Sequence, residues 1–319
     1  MSARRAQKLF RMSSILLPNT LPSVVHVAAT CETRKTKCST TISNNDINNS
    51  NIHLHTLNTS QMKYLPKEVT TADDFFLLCF FRAVSSHVLT TGSNLRAESD
   101  LVISSLTNDL LTLRTDWGFS NTAPIPVVLT RLAQGIDFNA PFFQERYANG
   151  LEPPILLVPK AHEDEVRAKC KPYMKGTKEV ATVISFISQD TRIEDPSCAL
   201  KALFEIKGVD RVSVECGPSV TSLLYETQSI DALSISTLRS YNANAGATIP
   251  PIPMIAYDPT FSGKRQWASS FEPVSGQHSP RMNEDTGTYY WTYDLYFCQQ
   301  RSTVNSDSDN YIHVKNKKK

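Results

Sequence analysis

The stretch from Val209 to Leu238 constrains the fold more than any other part of the sequence. It begins with a short apolar strand around Val212 and ends with a second apolar strand that starts at Ala232. Between the strands, apolar residues recur around Leu223 with the spacing of an amphipathic helix. The pattern predicts a strand–helix–strand unit, the building block of a parallel sheet.

The turn that joins the first strand to the helix has the composition of a phosphate site. Gly217 lets the backbone bend closely, Pro218 suits a first helical turn, and Ser219 places a hydroxyl beside unpaired helix N–H groups. Helix starts of this kind attract phosphate. Many strand-to-helix turns use glycine and proline for structural reasons, so this turn alone assigns no function.

A second turn of the same kind lies earlier in the chain. An apolar helix and a short strand that begins at His87 lead into Thr91, Gly92, Ser93 and Asn94. Again a strand ends in a glycine turn. The repetition makes a phosphate-binding role for both turns more specific than either turn does alone.

Together the two turns resemble the reductase domain that is C-terminal in bacterial riboflavin-biosynthesis deaminase/reductases and stands alone in fungal and archaeal diaminopyrimidine reductases. In that family a Gly-x-x-Thr turn comes early and Val-Glu-Gly-Gly-Pro comes late. Here the late motif is Val-Glu-Cys-Gly-Pro, ending at Pro218, and Leu95 stands in place of the early threonine. The resemblance implies an α/β, dihydrofolate-reductase-like fold: a mostly parallel central sheet with flanking helices and an antiparallel C-terminal edge.

The rest of the sequence fits one such domain with tails. Further strands are predicted at Ser23 to Thr30, Ile125 to Thr130 and Pro154 to Pro159. We expect the domain to occupy residues 21–300, with an Asn- and Ser-rich surface loop at 38–65 and a disordered polar tail at 301–319. Residues 1–20 are basic, which indicates a mitochondrial leader or a disordered tail, so the expected location is cytoplasmic or mitochondrial.

The resemblance implies NADPH as the cofactor and hydride transfer as the reaction. In the family the cofactor lies across the carboxyl ends of the parallel strands, with its phosphates at the two glycine turns. The implied substrate is a phosphorylated pyrimidine with a ribosylamino group, whose open-chain imine accepts the hydride. The implied cofactor-binding residues are Thr91, Gly92, Ser93, Asn94, Cys216, Gly217, Pro218 and Ser219.

Four charged residues are candidates for the reacting end of such a site. Glu215 matches the acid of the late family motif, and its alternative role is to stabilise the helix that follows it. Glu32 follows the first strand, one residue out of register with a family aspartate; either it takes over the carboxylate role or the substrate has changed. The arginine for the substrate phosphate is Arg114 or Arg96, because a guanidinium suits phosphate at either place.

Two departures from the family leave a second hypothesis open. Cys216 replaces the first glycine of the late pair, where a side chain could crowd a pyrophosphate. The Asp-Gly pair that follows the first strand in the family is missing. The alternative to an NADPH-dependent reductase is therefore a non-catalytic homologue that keeps the fold as a binding or interaction module.

The composition argues against several other classes of protein. A formal net charge of +2 does not suit a chain that neutralises nucleic acid, and no apolar run has the length of a membrane span. Seven cysteines without a CxxC pair indicate neither a disulfide framework nor a zinc ribbon. No metal is expected, since His53 and His55 lack a nearby third ligand, and the zinc signature of the family's deaminase is absent. The resemblance alone implies a homodimer.

Overall fold

The computed structural model describes residues 2–10, 23–34, 52–57, 72–103, 106–174, 178–187, 196–206, 208–240, 255–256, 271–273 and 289–298. The strands are β1 (Val24–Arg34), β2 (Ile52–Leu57), β3 (His87–Thr91), β4 (Ile125–Leu129), β5 (Ile155–Pro159), β6 (Thr182–Phe186), β7 (Val212–Val214), β8 (Ala232–Ser240), β9 (Ile255–Ala256), β10 (Phe271–Pro273) and β11 (Tyr289–Cys298). The helices are α1 (Ser2–Leu9), α2 (Ala72–Ala83), α3 (Gly92–Ala97), α4 (Asn108–Asp116), α5 (Pro141–Ala148), α6 (Glu163–Cys170), α7 (Pro196–Phe204) and α8 (Pro218–Glu226), with 3-10 turns at Lys160–His162 and Lys171–Tyr173.

The described strands form one mixed sheet in the order β10-β11-β8-β1-β7-β3-β4-β5-β6. The strands from β8 to β6 in this order run parallel, while β11 and β10 are antiparallel at the C-terminal edge. Strands β2 and β9 continue from the far half of β1, also antiparallel. The architecture confirms the predicted fold class. The β7–α8–β8 unit forms as expected, with β1 lying between its two strands.

Apolar runs in the parallel strands supply a core on both faces of the sheet, because successive side chains point to opposite faces. Val127 and Leu157 pack on one face with α7 and α8. Val128 and Leu156 pack on the other face, in a cluster that also contains Phe143 of α5. Buried strands of this kind fix the register, and the register positions the strand ends where the candidate site lies.

Three segments differ from the sequence-based expectation. Strand β1 continues to Arg34 instead of ending near Thr30, because β2 and β8 pair with its far half. Strand β2 lies within the segment predicted as a loop at 38–65. Helix α4 forms in a stretch for which the sequence predicted no helix or strand, with Leu110 and Leu113 buried against the core.

Residues 2–10 were expected to belong to a mitochondrial leader or a disordered tail, and the structure describes them as packed against the domain. Helix α1 buries Ala6 and Leu9 in the core cluster of α2 and α4, and Phe10 contacts Phe81 with ring centroids 6.1 Å apart. Arg5 donates to Asp73 at 2.7 Å. This segment therefore forms part of the domain core. The tail predicted at 301–319 lies outside the described residues.

Candidate active site

The register of the sheet brings the two glycine turns side by side. Strands β3 and β7 are parallel neighbours, with Leu89 beside Val214, and Glu215 extends the pairing by donating its N–H to the Leu89 carbonyl at 2.8 Å. Gly92 and Gly217 each lie three residues beyond this level. The predicted phosphate turns thus meet at one place on the carboxyl edge of the sheet, as the sequence analysis required.

Side chains of the first turn are used to shape the backbone. Thr91 caps α3 by accepting the N–H of Asn94 at 3.2 Å, and its hydroxyl lies 2.7 Å from that of Ser93. The Asn94 amide donates to the Glu215 carbonyl at 2.9 Å and to the Thr90 hydroxyl at 3.2 Å. Asn94 therefore links the end of β3 to the end of β7.

The two glycines have different surroundings. A Cβ added at Gly92 would lie 2.9 Å from Thr130 Oγ1, so the first turn needs glycine to approach the end of β4. Among the described residues, a Cβ added at Gly217 would meet the Asn94 Oδ1 alone, at 3.9 Å. Gly217 also caps α8 without a side-chain hydrogen bond, and the exposed Ser219 follows in the first turn. Space and N–H groups for a ligand are thus found at the second turn.

The cysteine that replaces a family glycine does not fill this space. Cys216 is buried in the core cluster with Leu224 of α8, and its thiol donates to the Leu89 carbonyl at 3.6 Å. Burial raises the pKa of the thiol, so it stays protonated. The crowding expected from a side chain at Cys216 is avoided because the side chain lies beneath the turn. Pro218 begins α8, as predicted.

Glu215 forms a buried ion pair with Arg82 of α2. Arg82 donates to both carboxylate oxygens, at 2.8 and 2.7 Å, and the two side chains are only 6% and 11% exposed. Burial opposes the charge of Arg82, yet its pKa is raised because the Glu215 carboxylate outweighs burial. The structure therefore places Glu215 beside the turns as predicted, with Arg82 as its partner rather than the start of α8.

Sequence reasoning missed Asp74, a buried carboxyl group on the same edge of the sheet. It is 8% exposed and hydrogen-bonded to Ser236, whose Cα pairs with Ala29 of β1. The last pair of β1 and β7 is His26 with Val214, and three residues further along each chain come Ala29 and Gly217. Burial raises the pKa of Asp74 to about 6, against the lowering effect of the Ser236 hydrogen bond. The signal in the sequence was its helical spacing from the apolar Leu77 and Phe81, which predicts an inward side chain.

Glu32 does not lie at the level of the turns. It belongs to the far half of β1, where its Cα pairs with Leu54 of β2. Three residues separate it from Ala29, which corresponds to about 10 Å along the strand. Its side chain lies outside the described residues, so the structure gives Glu32 a backbone position only.

Arg96 lies on the side of the turns that faces away from β1. Its guanidinium donates to the Gln134 carbonyl at 3.1 Å, and its Nη1 would be 3.4 Å from a Cβ at Gly92. Gln134 belongs to the loop after β4, and β4 is separated from β1 by two strands. Arg96 is thus near the first turn and distant from Glu32.

Arg114, one of the two arginines predicted to bind the substrate phosphate, does not lie at the turns. It is 1% exposed, and it donates to the carbonyls of Ala83 and Asn121 at 2.9 and 2.8 Å and to that of Ser85. Ala83 and Ser85 lie at the end of α2 and before β3, and Asn121 lies between α4 and β4, so all three carbonyls are at the opposite edge of the sheet from Gly92. Burial lowers the pKa of Arg114 to about 10, with a further contribution from Arg146. Arg114 is a structural cation there.

Other parts of the described chain add no second site. Among the described residues, no group of three or more His, Cys, Asp or Glu side chains could hold a metal ion. A surface cavity of about 420 Å³ lies beside Pro153 and Val180, which precede β5 and β6, and so belongs to the amino edge. None of the described helices is long and apolar enough to cross a membrane.

Comparison with solved structures agrees with this architecture. A pyrimidine reductase-like protein from Corynebacterium diphtheriae superposes with a TM-score of 0.54 at 15% identity, covering 93% of this chain and 99% of that one. The riboflavin biosynthesis reductase of Saccharomyces cerevisiae gives 0.47 at 12% identity, over 94% and 100%. No protein-family model and no curated protein matches the sequence. The chain shares its fold with the pyrimidine reductase-like protein from Corynebacterium diphtheriae.

Proposed function

We propose that this protein is an NADPH-dependent reductase of the kind found in riboflavin biosynthesis. The observation that carries the proposal is the position of the two glycine turns. They lie side by side at the ends of β3 and β7, joined by the hydrogen bond from Asn94 to Glu215, and the described residues leave open space over Gly217. Open α/β sheets bind ligands at such strand ends. The similarity in fold to a pyrimidine reductase-like protein supports the same class of reaction.

The residues present fit a dinucleotide. The backbone of Gly217 and the first turn of α8 would face the pyrophosphate, with the exposed hydroxyls of Ser93 and Ser219 beside it. When bound, NADPH supplies the hydride. The protein's task is to hold the two reactants in register and to exclude water, and the reaction needs no strong side-chain base.

We assign to Asp74 the role of proton donor. In the proposed reaction a hydride adds to C1 of an open-chain ribosylamino imine, and the imine nitrogen takes up a proton. A carboxyl group with a pKa of about 6, raised by burial, keeps a protonated fraction near pH 6 that an ordinary aspartate lacks, and this fraction can release its proton. Asp74 lies over β8 and β1, two strands from Gly217. Glu215 is occupied by Arg82 and serves to fix the turn.

The second candidate function is a non-catalytic binding module, and one observation favours it. Neither carboxylate implied by the resemblance is free at the turns: Glu215 is paired with Arg82, and the backbone of Glu32 lies about 10 Å beyond their level. A module of this kind would keep the sheet and the turns for packing. Cofactor binding separates the two functions.

The decisive experiment is a titration of the full chain with NADPH and NADH, followed by tryptophan fluorescence and melting temperature. We expect saturable micromolar binding of NADPH, abolished by Gly217→Asp, because a carboxylate would fill the open space and repel the pyrophosphate. Ser120→Asp, which adds the same charge at an exposed site before β4, is the matched control and should bind as wild type. A folded protein that binds neither nucleotide at millimolar concentration would refute the reductase and favour the module.

A further inference from the structure

Asn94 occupies the junction between the two glycine turns. Its side-chain amide uses both N–H groups within the protein, donating to the Glu215 carbonyl at 2.9 Å and to the Thr90 hydroxyl at 3.2 Å. Its backbone N–H donates to Thr91 Oγ1 at 3.2 Å. Asn94 therefore has no side-chain N–H left for a ligand in this arrangement, although the sequence suggested that it binds the cofactor.

The geometry points to a different role: we propose that Asn94 is a positioning residue that fixes the separation of the two turns, so that one pyrophosphate contacts both. The inference rests on the proposed cofactor function. Asn94 belongs to α3 and Glu215 to the end of β7, 121 residues apart in the chain. The sheet pairs these strands at Leu89 and Val214, and Asn94 continues the connection past the last paired residues.

Both ends of this connection are themselves held in place. On the β7 side, Arg82 donates two hydrogen bonds to the Glu215 carboxylate. These bonds hold Glu215 in place, and its backbone carbonyl accepts from Asn94. On the β3 side, Thr90 is 2% exposed within the sheet. In the part of the chain that the structure describes, the Oδ1 atom of Asn94 is the one neighbour within 4 Å of a Cβ placed at Gly217. Asn94 thus also forms the floor beneath the open space at the second turn.

A positioning residue of this kind affects how well one ligand can contact both turns at once. When one ligand touches two subsites, the second contact is intramolecular, and its strength depends on the distance between the subsites. If that distance is no longer fixed, the whole ligand loses affinity while a fragment that uses one subsite does not. The two halves of NADPH, 2′,5′-ADP and reduced nicotinamide mononucleotide, are such fragments, because each carries one phosphate of the pyrophosphate.

The test compares Asn94→Ala with wild type in titrations of NADPH and of both fragments. We expect NADPH to bind at least tenfold more weakly and each fragment less than threefold more weakly. Asn94→Leu, which matches the shape of the amide without its N–H groups, should give the same ratio and serves if the alanine variant does not fold. Thr90→Val removes one of the two acceptors and keeps the bond to Glu215, so it should weaken NADPH less than Asn94→Ala does and leave both fragments within threefold of wild type.

The outcomes separate this inference from the proposed function. Wild-type protein that binds no NADPH would refute both. Wild-type binding with NADPH affinity unchanged in both Asn94 variants would overturn the positioning role alone. An equal loss for NADPH and for the fragments would also overturn it, since a general distortion of the turns would weaken each half to the same extent.

Discussion

The two edges of the parallel sheet use buried arginine in opposite ways. At the carboxyl edge, Arg82 is paired with a carboxylate, and its pKa is raised because Glu215 outweighs burial. At the amino edge, Arg114 and Arg146 donate to backbone carbonyls, and burial lowers the pKa of each to about 10. Arg114 and Arg146 connect the ends of helices and strands through backbone carbonyls, whereas Arg82 holds one residue, Glu215, beside the turns. The comparison separates the candidate site from its scaffold.

The largest expected effects on stability come from replacing Arg82 and Arg114, one at a time, with methionine. Arg82→Met leaves the Glu215 carboxylate buried without its cation, which should lower the free energy of unfolding by about 3–5 kcal/mol. It should also weaken NADPH binding at least fivefold, because Glu215 and the carbonyl that accepts from Asn94 would shift. Urea denaturation and a fluorescence titration measure the two quantities.

Arg114→Met is the matched comparison. It leaves buried carbonyls unsatisfied and should cost about 3 kcal/mol, yet NADPH should bind the folded variant within twofold of wild type. The double variant Arg82→Met/Glu215→Leu should recover part of the stability lost in Arg82→Met, because no charge is left unpaired. If Arg114→Met weakened NADPH as much as Arg82→Met, the division between the two edges would be wrong.

A smaller effect separates the two glycine turns. Gly92→Ala should cost about 1–3 kcal/mol, because the new Cβ would lie 2.9 Å from Thr130 Oγ1. Gly217→Ala should leave stability within about 0.5 kcal/mol, since its φ of −67° suits alanine and a single atom of the described residues would lie within 4 Å of the new Cβ. The order should reverse for ligand binding, with Gly217→Ala weakening NADPH more than Gly92→Ala does.

The control is the double variant Gly92→Ala/Thr130→Ala, which removes the hydroxyl group that the new Cβ would contact. In a double-mutant cycle, Gly92→Ala should cost less free energy of unfolding in the Thr130→Ala background than in the wild-type background, because the contact with Oγ1 is absent there. Additive losses would mean that Thr130 is not what requires glycine in the first turn.

The parallel part of the fold was predictable because its strands are continuous apolar runs, and the positions of both turns followed from their glycines. Helix α4 was missed, since its polar residues hide the few buried ones, such as Leu110. Strand β2 was missed because Asn-rich composition obscured a short extended segment. Both elements depend on contacts with distant parts of the chain, which local patterns do not contain.

The site was predictable at its turns and less so at its charged residues. Glu215 is beside the turns as expected, but its partner Arg82 lies 133 residues away, and nothing in local sequence links them. Arg114 could not be distinguished from a ligand-binding arginine, because the carbonyls that it serves belong to another helix end. Asp74 had a recognisable signal, an acid at apolar helical spacing, which indicates burial but not its neighbour Ser236.

The pH dependence of stability also differs between the two edges, and its effect per pH unit is the smallest of those expected. His87 begins β3 at the amino edge, and burial, with Arg114 and Arg146, lowers its pKa to about 4. The unfolded chain therefore binds more protons at His87 between about pH 4 and 6.5, so stability is lost as pH falls through that window, by roughly 1.4 kcal/mol per unit. Burial lowers the pKa of His26 to about 4 as well, with the same sign.

Asp74 acts in the opposite direction. Burial raises its pKa to about 6, so its contribution is present at low pH and is lost as pH rises through the window from about 4 to 6. Because two histidines oppose one aspartate, the melting temperature should fall between pH 6.5 and 4. His87→Asn, which keeps an acceptor near Nδ1, should make the fall shallower, and Asp74→Asn should make it steeper. Parallel curves for Asp74→Asn and wild type would show that Asp74 is ionised in the folded state throughout this range, and a carboxyl group in that condition could not supply the proposed proton.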